Sequence, residues 1–101
     1  MSYIGELEGA ILRLHGVKSK HLSSVPVKEV FQGQTVWDGT VEVFELIGHP
    51  ETNRAYAWAH LEGDKGKQKR FVAVLHIPPI DSPQNAVKAA IVEEYKNRGK
   101  A

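Results

Sequence analysis

The chain has 101 residues, enough for one domain and too few for two. Apolar residues make up 42% and charged residues 25%, an ordinary globular balance. Cysteine is absent, which removes disulfides, thiolate catalysis, zinc ribbons and iron–sulfur clusters, and a net charge of +1 excludes a large global field.

No apolar run approaches the roughly 20 residues of a membrane span. The start, Met1 to Glu6, carries neither a basic leader nor an apolar signal core. A cytoplasmic protein with no membrane partner is expected.

Residues 2–15 read as a helix. Ser2 is placed to cap the first turn, and Glu6 and Glu8 sit near the positive end of the helix dipole. Leu7, Ala10, Ile11 and Leu14 follow the spacing of one buried stripe, and Gly16 supplies a left-handed stop. Gly5 and Gly9 each cost roughly 1 kcal/mol against alanine, so packing must hold this helix.

Val17 to Gln32 reads as extended, with Val25, Val27 and Phe31 on one face. Pro26 has no N–H to give a ladder, which puts this segment at a sheet edge or a bulge. Gly33-Gln34 is the expected turn. Val36 to Ile47 is the second strand, and Gly39 within it suggests a bulge or bend. After the loop Gly48 to Asn53, Arg54 to Leu61 alternates sharply: Ala55, Ala57 and Ala59 point one way, Tyr56, Trp58 and His60 the other. Gly63 to Lys69 is a polar hairpin loop. Arg70 to Ile77 is apolar on both faces until His76, the pattern of a central, well-covered strand. Pro78-Pro79 stops the sheet. Ser82 and Pro83 then open a second helix as cap and first residue, with Val87, Ala90 and Ile91 inward and Gly99 as its end.

The order α-β-β-β-β-α implies an α+β domain: a two-layer fold in which a four-stranded antiparallel sheet is flanked by an N-terminal and a C-terminal helix, both on one face. A strongly bent sheet approaching a small barrel is the alternative, since Pro26 and Gly39 both permit bends.

The open face would carry some of Trp37, Phe44, Tyr56, Trp58 and His60 beside Arg54, and such a face, if no helix covers it, reads as an interface or binding platform. The charge is uneven. Asp38, Glu42, Glu45 and Glu51 stand against Arg54 alone over 31–60, whereas Lys65, Lys67, Lys69 and Arg70 outnumber Glu62 and Asp64 over 61–80. Aromatics on a sheet beside a basic hairpin are one way single-stranded nucleic acid is held.

The histidines His15, His21, His49, His60 and His76 show no metal-ligand spacing, although His60 and His76 in neighbouring strands would allow a pair. His15 suits a helix C-terminus. His49, in the loop, is the candidate acid or base, with Asp38, Glu45 or Glu51 to orient it. No serine lies in a nucleophile-elbow motif, and Gly63 to Lys67 lacks the spacing of a phosphate loop. No cofactor and no metal are expected.

Several segments look familiar together: Ser24-Val25-Pro26-Val27, Trp37-Asp38-Gly39, Gly48-His49-Pro50, Arg54 to Trp58, and Ile77-Pro78-Pro79 with Ser82-Pro83. In these the chain resembles small uncharacterised bacterial proteins, some of them carried on mobile gene cassettes. The resemblance implies no activity and no site residue. The residues favour a non-enzymatic binding or protein-interaction module, a homodimer or the partner of another protein. A small enzyme built on His49, and nucleic-acid binding through Lys65 to Arg70, are the alternatives.

Overall fold

Ser2 caps the first helix as its position suggests: its hydroxyl accepts the Gly5 N–H at 3.0 Å. Gly16, at φ 74°, ends the helix with its N–H on the Leu12 carbonyl at 2.9 Å. Helix α1 thus spans Tyr3–His15, with Leu7, Ala10 and Ile11 buried. The computed structural model describes residues 2–62 and 68–98, leaving aside the side chains of 60–62, 68, 69 and 94–98.

Four strands follow: β1 Lys18–Phe31, β2 Gln34–Ile47, β3 Arg54–Glu62 and β4 Gln68–Leu75, and then helix α2 Pro83–Arg98. They form one antiparallel sheet in the order β1-β2-β3-β4, which is the expected meander. Pro26 lies on β1, an edge strand, where a missing donor is tolerated. The sheet is open, with β1 and β4 as its margins, and is not a barrel. Among the described residues, no helix is long and apolar enough to cross a membrane.

Several expectations need correction, the smallest being Leu14, which the helical stripe puts inside and which is 54% exposed. The helices do not share a face. Leu7 and Ile11 of α1 pack with Phe44, Leu46, Ala55 and Ala57, whereas Ala86 and Val87 of α2 pack with Val27, Val41, Val43, Tyr56 and Trp58. Neighbouring strand residues point to opposite sides, so these are the two faces of one sheet, and the domain is a helix–sheet–helix sandwich of three layers. Next, β4 is an edge strand. Its two-sided apolarity has another cause: Phe71, Ala73 and Leu75 serve the α1 core while Val72 and Val74 serve the α2 core. Last, the β1–β2 turn is Gln32-Gly33, one residue earlier than Gly33-Gln34. Both residues have positive φ, 51° and 77°, as a two-residue primed turn requires.

Gly39 makes no bulge. It pairs with Val27, and a Cβ there would come within 3.1 Å of the Trp37 ring, which lies back over it. The register shifts fall instead between His21 and Ser23 and between Glu29 and Val30. They matter because the sheet is not uniform. β1 and β2 pair along their whole length, but β2 meets β3 only where Glu42 to Glu45 oppose Ala57 to Arg54. Beyond that the two hairpins separate. Trp37 of β2 and Trp58 of β3 bridge the gap edge to face, centroids 5.6 Å apart. Just past the last β2 pair, the Ala59 N–H donates to the Tyr3 hydroxyl at 2.9 Å.

Candidate functional site

Alternation along β3 puts Tyr56 and Trp58 on one face, as the sequence predicts, but α2 covers that face. Both rings are about 2% exposed and belong to the core. Trp37 is half-buried against Trp58. The aromatic platform is therefore closed: no base or partner can lie flat on these rings. The side chains of His60 and Lys69 lie outside the described residues, as do Lys65 and Lys67 altogether. Arg70 is exposed on edge strand β4. The nucleic-acid alternative thus loses the stacking surface that recommended it.

His49 serves its own loop. Its Nδ1 accepts the backbone N–H of Glu51 at 3.1 Å and of Thr52 at 3.4 Å, which commits that lone pair to holding the turn. Asp38, offered as an orienting carboxylate, is paired opposite Lys28 far along the β1–β2 hairpin. His15, at the end of α1, bonds through Nε2 to the Ala73 carbonyl at 3.1 Å. His60 and His76 do not meet. His60 stands opposite Arg70, whereas the His76 N–H donates to the Arg54 carbonyl beyond the Ala55–Leu75 pair, at the other end of the β3–β4 ladder.

Two polar groupings emerge instead, one on each side of the sheet, and both depend on the bulge in β1. The extra residue at Leu22 lets His21 and Ser24 lie on one face, although a spacing of three in a regular strand would oppose them. There they flank Glu42, a buried carboxylate on β2. His21 Nε2 lies 2.9 Å from Glu42 Oε1, and the Ser24 hydroxyl donates to the same oxygen. A buried carboxylate without such partners would be strongly disfavoured.

On the other face, Leu22 and Ser23 line a cleft of about 330 Å³ whose far wall is the start of α2, with Asp81, Ser82 and Pro83. The floor is Tyr56, whose hydroxyl lies 2.5 Å from His76 Nδ1. Arg54 stands at its side, within reach of the Tyr56 oxygen. Burial pushes the Tyr56 phenol above its ordinary 10.0; Arg54, by charge and hydrogen bond, pulls part of the way back, and Asp81 adds a small upward push. Tyr56 is therefore a neutral donor near pH 7.

That shift has an alkaline consequence. The folded state holds the Tyr56 proton more tightly than the unfolded chain does, so its contribution to stability is complete below pH 10.0 and is lost as pH rises through the higher folded value. A spectrophotometric titration should show one tyrosine ionising late, and Tyr56→Phe should delete that step. A late step that survives the substitution would assign it elsewhere.

The sequence pointed to Arg54 and Tyr56. It gave no sign of His21, Ser24, Glu42 or Asp81 as members of a site, because a bulge and a helix placement bring them in. Compared with known proteins, the chain matches no family model, no curated protein and no solved structure. The resemblance noted from the sequence assigns no activity, so function is argued from the residues.

Proposed function

We propose that the protein is a small, non-enzymatic interaction module of the cytoplasm that pairs with a second copy of itself through the outer end of its β1–β2 hairpin. One observation carries this reading. The hairpin runs past the last β3 pair and ends in exposed Val30, Phe31 and Val36; Val30 and Phe31 are 58% and 63% accessible. Apolar side chains clustered at the tip of a projecting arm are costly to leave in water.

Charge favours a second copy as the occupant. By strand alternation Lys28 shares a face with Val30, and Asp38 is its cross-strand partner. A two-fold axis over this face sets Lys28 of each copy against Asp38 of the other and joins the two Val30 side chains, the self-complementarity that an isologous contact needs, while Phe31, on the opposite face by the same alternation, covers the rim of the tip. Pro26 on β1 withholds a donor from the outer strand edge, which favours a face contact over sheet extension.

Light scattering coupled to size exclusion tests this. The wild type should run at twice the chain mass, and the Val30→Asp/Phe31→Ser double variant at the single mass with an unchanged circular dichroism spectrum. Both residues are exposed, so the variant should fold. A wild type that stays single at high micromolar concentration, or a variant that keeps the double mass, overturns the proposal.

A further inference from the structure

The cleft between the β1 bulge and the start of α2 takes no part in the proposed self-association. We infer that it binds a small zwitterion, an α-amino acid with an apolar side chain. Three features of the cleft argue for this class.

Its polar groups carry both signs. Arg54 and Asp81 line the same opening, and among the contacts of the described residues they form no ion pair with each other. An anion alone would meet Asp81, and a cation alone would meet Arg54. A molecule with a carboxylate and an ammonium group satisfies both at once.

The groups are also held in place. The Tyr56 hydroxyl is anchored on His76 Nδ1 at 2.5 Å, and the Arg54 guanidinium lies close enough to favour the ionised phenol. A guanidinium has five N–H donors, so it can face Tyr56 and still present a fork to a carboxylate. Asp81 is fixed in turn, its Oδ1 accepting Asn85 Nδ2 at 2.7 Å. The Ser82 hydroxyl accepts the Asn85 N–H at 3.2 Å and so caps α2 itself; the site therefore rests on side chains and not on the helix end.

Apart from Ser23, the rest of the lining is apolar. Leu22, Val25, Val43 and Pro83 give the ligand's side chain a surface to cover, and Leu22 is otherwise half exposed. At about 330 Å³ the cleft lies at the small end of ligand pockets, which span about 300–1,000 Å³. The bulge that turns His21 and Ser24 toward Glu42 delivers Leu22 here, so one irregularity in β1 serves both faces.

The test is an NMR titration of the labelled protein with L-leucine, 4-methylpentanoate (no ammonium) and isopentylamine (no carboxylate). Leucine should shift the amides of Leu22, Tyr56, Asp81 and Ser82 saturably at millimolar concentration. Each analogue should bind about tenfold more weakly, the loss of one charge-assisted contact. Arg54→Ala and Asp81→Asn should each weaken leucine by a similar factor, and Arg54→Lys should restore part of it. Both positions are exposed, and the dispersion of each variant's spectrum reports its fold directly. No saturable shift with leucine overturns the inference. So does methylpentanoate binding as well as leucine with Asp81→Asn silent, which would leave a simple anion site.

Discussion

Trp58→Ala should cost about 3–5 kcal/mol, the range for truncating a fully buried aromatic. Domains of this kind are stable by about 5–15 kcal/mol, so the variant should be poised near unfolding. The physical reason is position. Trp58 is 2% exposed, meets Trp37 edge to face and belongs with Ala86 and Val87 of α2 to one core, where the two hairpins separate. Its loss opens a hole that three elements share and that none can close alone. Urea unfolding followed by circular dichroism gives the number, and Trp58→Phe should recover part of it. The same experiment separates two pictures of this residue. On an exposed platform, truncation would leave the midpoint unchanged and alter only association. A loss below about 1 kcal/mol would remove Trp58 from the core described above.

The second large effect is a matter of sign. Glu42 is buried, and His21 and Ser24 both address its Oε1. Replacing both partners by alanine should destabilise the fold by up to about 3 kcal/mol, because the carboxylate keeps its desolvation cost and loses its compensation. His21 is 30% exposed and Ser24 is exposed too, so water can stand in for either one alone, and most of the loss should come only when both are gone. Adding Glu42→Leu to that double variant should then restore stability, since an apolar side chain of similar size suits a site beside Phe44 and Ala57. Denaturation of the single, double and triple variants measures the coupling. A triple variant less stable than the double would mean that the carboxylate is held by groups other than His21 and Ser24.

The local signals were legible in the sequence because they act within a few residues. Ser2 and Gly16 bound α1, Ser82 and Pro83 open α2, Pro26 marks an edge, and the alternation from Arg54 to Leu61 separates alanines from aromatics. Each is a preference of backbone or side chain that a window of ten residues contains. Consecutive strands with short connections then gave the antiparallel order.

What the sequence could not state is what covers what. An amphipathic helix advertises an apolar stripe but not the sheet face that receives it. Sending α1 to the Ala55 side and α2 to the Tyr56 side turned an expected aromatic platform into a core. Likewise, a strand with apolar residues on both faces reads as central, yet two helices on two faces give β4 that pattern at an edge.

Of the candidate site, Arg54 and Tyr56 could be named in advance. Their partners could not, because His76 arrives from beyond β4, Asp81 from the start of α2 and Leu22 from a bulge in β1. Propensity and periodicity fix the elements of this protein, since they are written in neighbouring residues. The pairing of faces and the meeting of His21, Ser24 and Glu42 were decided only by tertiary structure, where contacts between distant residues offset the cost of burying them.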